Sequence, residues 1–259
     1  MITLSACIEM MFREEPDFLK RIDMAADCGF RAVEFWGTGN KDIDGIKARA
    51  EARGVAVSIF GGPGGTLGDP ATHADLVRAM RETIPLADKL GTKRLIVTVG
   101  NEIEGMSRAT QHANIVAGLK KLAPVVEDAG LTLCLEPLNI LVDHMGYYLA
   151  TSAEAFEMVD EVGSPALKLL FDIYHQQITE GNLTANLTRN AAKIGHLHVA
   201  DVPGRHEPGT GEINYRNVFA ALLKCGWEGY AGLEYAPSTE LTQDSVANIL
   251  AIRDELGMG

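Results

Sequence analysis

Four consecutive β-like runs of this chain end on residue types that bind cations or move protons. LCLEPLN places Glu136 at the end of one run, LKLLFDIYHQQ places Asp172 at the next, GHLHVAD places His198 and Asp201 at the third, and GLEY places Glu234 at the fourth. A carboxylate beside a core needs a cation, a set of donors or open solvent, because an unpaired buried charge costs several kcal/mol or neutralises itself. Three carboxylates and one imidazole form an oxygen-rich donor set suited to a hard or borderline divalent ion such as Mn2+ or Mg2+, with water or substrate completing the octahedron. Singly, each acid has a plainer reading: Asp172 also fits a helix N-cap or turn acid, and the others fit strand-end acids paired with arginine. Four in succession favour a common site made of Glu136, Asp172, His198 and Glu234.

The elements that would position them follow from the periodicity. Apolar, β-rich runs at 2–8, 31–36, 55–60, 94–99, 131–136, 167–172, 194–199 and 231–235 alternate with longer segments of helical period. Pro16 opens the first of these, Phe18, Leu19, Ile22 and Ala26 recur on one face, and Gly29 stops it. Segments 42–53, 71–90, 107–129 and 215–225 end in the same way at Gly54, Gly91, Gly130 and Gly226, and Thr151 opens a helix that reaches Val162. Pro85 is expected to kink or split the third helix. This alternation predicts an α/β chain folded as a single (β/α)8 barrel over residues 1–259, in which neighbouring strand ends lie about 4.8 Å apart and can converge at the rim. An open doubly wound sheet is the alternative, but the first strand-to-helix turn, Glu9 to Arg13, has no Gly-x-Gly fingerprint. Gly61 to Gly65 (GGPGG) lacks the Gly-Lys-Ser/Thr of a phosphate loop and reads as a mobile loop over the barrel mouth.

Composition excludes several classes. A formal net charge of −12 without a basic cluster argues against a nucleic-acid partner. No apolar run approaches the roughly 20 residues of a membrane span, and the N-terminal stretch lacks a basic leader, so a cytoplasmic location is expected. Cys7, Cys28, Cys134 and Cys225 are scattered without a CxxC pair and read as reduced thiols in the core. His196 shares a strand face with His198 and reads as a donor behind it or as a packed core histidine. Trp36 and Phe60, at the ends of the second and third strands, read as core residues or as an apolar wall for a substrate.

LEPLN, FDIYHQQITEGNL, GHLHVADVPGRHEPGTGEINY and GLEY together resemble the hydroxypyruvate isomerase branch of the xylose-isomerase-like barrels, whose wider relatives include ketose 3-epimerases. The resemblance runs from MMFREEPDFLKRI to the last helix. It implies Glu136, Asp172, His198 and Glu234 as metal ligands, Glu136 and Glu234 as the acid/base pair, and His175 and Arg205 as substrate contacts. It further implies a small-molecule substrate and self-association as a homo-oligomer. The implied reaction moves a carbonyl along a hydroxy-carbonyl compound, hydroxypyruvate to 2-hydroxy-3-oxopropanoate first and ketose C3 epimerisation second, through an enediolate. Dehydration of a polyol ketone or simple sugar binding are more distant alternatives. The chain departs from the branch after LEPLN, where Ile140 to Gly146 (ILVDHMG) replaces a polar, basic loop.

Overall fold

A computed structural model describes all residues, 1–259. Eight parallel strands close into a barrel in sequence order, with the first paired to the last. They are β1 (Ile2–Cys7), β2 (Ala32–Phe35), β3 (Ala56–Gly61), β4 (Arg94–Val97), β5 (Thr132–Leu135), β6 (Leu167–Asp172), β7 (Ile194–Val199) and β8 (Gly229–Leu233). The helices are α1 (Phe18–Asp27), α2 (Ile43–Arg53), α3 (His73–Leu90), α4 (Arg108–Asp128), α5 (Ser152–Val162), α6 (Ile173–Thr179), α7 (Leu183–Arg189), α8 (Tyr215–Lys224), α9 (Thr242–Ser245) and α10 (Ala247–Leu256). No helix is long and apolar enough to cross a membrane.

Local chemistry sets the helix ends. Asp17, Asp42, Ser107, Thr151 and Asn214 each accept a first-turn backbone N–H at an N-cap. Gly54 and Gly91 terminate α2 and α3 in the left-handed region, at φ 64° and 68°, where a side chain would be strained. α3 continues through Pro85 rather than splitting there. Pro85 lies on the exposed side of the helix, so water can satisfy the carbonyl that loses its N–H partner.

Most of the core lies between strands and helices, in one cluster of 62 buried apolar residues. Strand alternation sends the remaining side chains into the barrel lumen, as expected for this architecture. There Ile59, Cys134 and Leu170, with Ile96 against them, form a small apolar plug. Ser5, Glu34, Ser58, His196 and His198 form a buried polar layer beside it. Register shifts between β2 and β3 and between β6 and β7 re-aim the chain near this layer, as bulges beside functional sites commonly do. Cys7 and Cys134 are buried, but Cys28 is half-buried and Cys225 is exposed. The core-thiol reading of the last is corrected: Cys225 is the C-cap of α8 at the surface, where its thiol donates to the Leu222 carbonyl at 3.1 Å.

Candidate active site

Glu136, Asp172, His198 and Glu234 reach the same end of the barrel from four adjacent strands, and each has a ligand-type atom within 4.8 Å of the others. Asp172 faces His198 across the β6–β7 ladder, and His198 faces Gly232 across β7–β8, so the register itself aligns the rim. The Nδ1 atom of His198 lies 3.2 Å from Glu136 Oε1, 3.3 Å from Glu234 Oε2 and 3.9 Å from Asp172 Oδ2. All four residues are buried. The Glu136 backbone is fixed by Tyr147, whose hydroxyl donates to the Glu136 carbonyl at 3.0 Å and accepts from the Val99 N–H. Asp172 is at once a rim carboxylate and the N-cap of α6, accepting the His175 N–H at 3.1 Å.

The cap places His175 beside the cluster. Its Nδ1 accepts from the Asn139 side-chain amide at 2.7 Å, which leaves the proton on Nε2. That Nε2 is buried without a hydrogen-bond partner, 3.5 Å from Asp172 Oδ2. Asn139 also accepts from the Val142 and Asp143 N–H groups, so one amide ties His175 to the whole loop after β5. Arg205, in the left-handed region at φ 57°, sits over the Tyr174 ring and directs Nη2 to Glu234 Oε2 at 2.5 Å. Trp36 is not a core residue: it is 52% exposed, it stands at the wall of the cavity over the cluster, and its indole N–H donates to Glu234 Oε1 at 2.5 Å. Phe60 is packed in the core, stacked on Phe35 with ring centroids 5.6 Å apart.

Asp201 stays out of the cluster. It accepts N–H groups of Val202, Gly209 and Ile213 and so folds the loop that carries Arg205. His196 is buried behind His198, with the rings edge to face at 5.3 Å, and its Nε2 bonds Glu34 Oε2 at 3.1 Å. Glu34 leaves one signal in the sequence, an acid inside the otherwise apolar AVEF strand.

The electrostatics divide the two glutamates. Burial, with Glu234 and Asp172 as like charges, holds the Glu136 carboxyl above its usual value despite the opposing pull of His198. Burial pushes Glu234 the same way, but His198, Arg205 and the Trp36 N–H override it and hold that carboxyl well below the usual range. Burial would depress His198, yet Glu234 and Glu136 keep its imidazole charged well above the ordinary histidine value. Three buried rim carboxylates therefore face one guanidinium and one imidazole. Buried like charges at this spacing need further positive charge. A divalent cation fits the donor set, being oxygen-rich with a single nitrogen and no thiolate. Above the cluster opens a cavity of about 440 Å³ lined by Trp36, Gly61, Gly62, Pro63, Gly64, Ile96, Thr98, Glu136, Leu138, His144, His175, Arg205 and Glu234. That volume suits a small ligand.

Known proteins resemble this chain along most of its length. The sequence profile of the xylose isomerase-like TIM barrel matches residues 22–252. The hydroxypyruvate isomerase of Escherichia coli (strain K12) is 36% identical over 92% of this chain and 95% of its own length. The 2-oxo-tetronate isomerase of Cupriavidus necator is 34% identical over 90% of this chain and 92% of its own. Among solved structures, an AP endonuclease, family 2, from Brucella melitensis superposes with a TM-score of 0.89 at 29% identity, covering 97% of this chain and 99% of the other. The chain belongs to the xylose isomerase-like TIM barrel family.

Proposed function

We propose that this enzyme is an isomerase of a small 2-hydroxy-carbonyl acid, with hydroxypyruvate to 2-hydroxy-3-oxopropanoate as the leading reaction. The observation that carries the reading is the pair Glu136 and Glu234. Both line the cavity, they flank His198 Nδ1, and they are held on opposite sides of the ordinary carboxylate range. Two acids separated in this way are suited to one base and one acid role. The reading draws further support from two relatives whose names specify isomerisation of oxo acids.

In the forward direction Glu234, kept ionised by Arg205 and the Trp36 N–H, takes the proton from the hydroxymethyl carbon of the substrate. Glu136, entering the cycle protonated, returns a proton to the neighbouring carbon, and the two carboxyls reset by passing one proton from Glu234 back to Glu136 between turnovers. His175 Nε2 gives its proton to the former carbonyl oxygen as negative charge develops there and takes the proton of the hydroxymethyl oxygen, so the imidazole ends as it began while that second oxygen becomes the new carbonyl. Arg205 commits Nη2 to Glu234 and leaves Nη1, which has no hydrogen bond within the chain, for the substrate carboxylate. When bound, a divalent cation held by Glu136, Asp172, His198 and Glu234 supplies Lewis-acid stabilisation of that developing charge. Trp36 and the Gly61–Gly64 stretch cover the side of the cavity and limit access of water.

The test is solvent-deuterium exchange into hydroxypyruvate, followed by NMR with Mn2+ or Mg2+ supplied, alongside a panel of free ketoses. Exchange and isomerisation of the acid are expected, chelation should abolish both, and Glu136→Gln or Glu234→Gln should each lower turnover by about 10²–10⁴-fold. Arg205→Ala should impair the acid far more than a neutral ketose. Near-normal turnover in either glutamine variant, or a ketose preferred over every oxo acid, refutes the assignment.

A further inference from the structure

Glu34 projects from β2 into the lumen and is 2% exposed, on the side of His198 away from the rim. Its Oε1 lies 3.1 Å from His198 Nε2, while its Oε2 bonds His196 Nε2 at 3.1 Å and Ser58 Oγ at 3.0 Å. A second observation shows that the fold makes room for this carboxylate. An ideal Cβ on Gly232 would stand 1.9 Å from Glu34 Oε1 and 2.4 Å from its Cδ, so only glycine fits there. Gly232 is also the β8 residue paired with His198, so the missing side chain opens space at the place where the imidazole and the carboxylate meet.

The two ring nitrogens of His198 have different surroundings. Nδ1 faces Glu136, Asp172 and Glu234, whereas Nε2 faces Glu34 alone. Carboxylates face both nitrogens, so a charged imidazole donates toward the rim and toward Glu34 alike. When a cation displaces the Nδ1 proton, Glu34, which can only accept, keeps the remaining proton on Nε2 and leaves the Nδ1 lone pair directed at the rim. The neighbouring Oε2, held by Ser58 and His196, stops the carboxylate from rotating away.

We propose that Glu34 is a positioning residue: it orients His198 and holds it in the Nε2–H form, so that Nδ1 is presented as a cation ligand. This rests on the reading of Glu136, Asp172, His198 and Glu234 as a divalent-cation site. A carboxylate behind a ligating histidine raises its basicity, and its loss commonly weakens metal affinity by about 10–100-fold.

The experiment uses the full chain, titrated with Mn2+ alone and followed by calorimetry and electron paramagnetic resonance, and with Mg2+ for histidine 15N NMR. The His198 signals are assigned by their loss in His198→Gln. One Mn2+ equivalent, an Nε2–H tautomer in the Mg2+-loaded protein and a roughly 10–100-fold weaker Mn2+ affinity in Glu34→Gln at unchanged far-UV spectrum are expected. Glu34→Asp, which keeps the charge, should recover part of the affinity. An Nδ1–H tautomer in the loaded wild type refutes the proposal even if Glu34→Gln fails to fold. Unchanged affinity in Glu34→Gln refutes it while leaving the four-residue site intact. Two Mn2+ equivalents, the second lost with Glu34→Gln, make Glu34 a ligand itself and also refute the positioning role. A wild type that binds no Mn2+ overturns the four-residue site and this proposal with it.

Discussion

Replacing Gly232 by alanine is the most direct test of how tightly the lumen is built. The added Cβ would lie 1.9 Å from Glu34 Oε1, 2.4 Å from Cδ and 2.5 Å from Oε2. Ordinary contact between a carbon and a neighbouring heavy atom lies at about 3.5 Å or more, so the carboxylate must retreat by more than about 1 Å. It cannot do so and keep Ser58 Oγ at 3.0 Å and His196 Nε2 at 3.1 Å. Overpacking alone costs about 1–3 kcal/mol. Weakening one hydrogen bond to a buried charge adds about 1.5–3 kcal/mol. The sum is about 2.5–6 kcal/mol, and at roughly 2–4 °C per kcal/mol for a chain of this size, the melting midpoint should fall by about 5–24 °C. Thermal melts followed by circular dichroism measure this. Adding Glu34→Asp to Gly232→Ala shortens the obstructing side chain by one methylene, so the double variant should melt higher than the sum of the two single effects implies, with a coupling of at least about 1 kcal/mol. A Gly232→Ala midpoint within about 2 °C of wild type, or strictly additive effects in the cycle, refutes the contact and the packing argument built on it.

Three other outcomes follow from named contacts. Trp36→Phe keeps the ring but removes the N–H held by Glu234 Oε1, so kcat/KM should fall by about tenfold at nearly unchanged melting midpoint. Because the lost donor favours the Glu234 anion, the acid limb of the pH–rate profile should move to higher pH, and a shift the other way contradicts the contact. Asn139→Ala removes the amide that holds His175 Nδ1 at 2.7 Å and two loop N–H groups, so it should cost about 2–4 kcal/mol in stability and about 10²-fold in turnover; loss of stability alone would separate the loop from the chemistry. His112 lies between α4 and α5, where burial lowers its pKa but hydrogen bonds to Glu161 at 2.9 Å and Glu154 at 3.2 Å raise it above the ordinary value. Its charged form therefore stabilises the fold below the unfolded histidine pKa, and the contribution fades as pH rises through the folded one. His112→Gln should lower stability by about 0.5–1 kcal/mol near pH 6 and by almost nothing near pH 9, and equal losses at both pH values would refute the pairing.

How much of this site could be read from the sequence depends on the direction in which each interaction runs. Glu136, Asp172, His198 and Glu234 are legible because each closes a β-rich run, and the barrel order places consecutive strand ends side by side. His175 is legible through the cap of Asp172, a contact three residues long. Interactions across the lumen leave no such trace. Glu34 and His196 are 162 residues apart, and AVEF alone gives the alternation of the strand but not which strand its inward side chain will meet. Trp36 and Glu234 are 198 residues apart, and an indole at a strand end suits a wall as well as a donor until the geometry fixes its N–H. Gly232 shows the same limit from the opposite side. In GLEY it reads as one more small residue before a functional acid, yet its φ lies outside the left-handed region, so the backbone does not require glycine there. What requires it is the Glu34 carboxylate 1.9 Å from where its Cβ would be, a constraint written in β8 by a residue of β2. Periodicity thus identifies the residues that reach the rim, while the residues that hold them in a particular rotamer and tautomer are fixed by closure of the barrel.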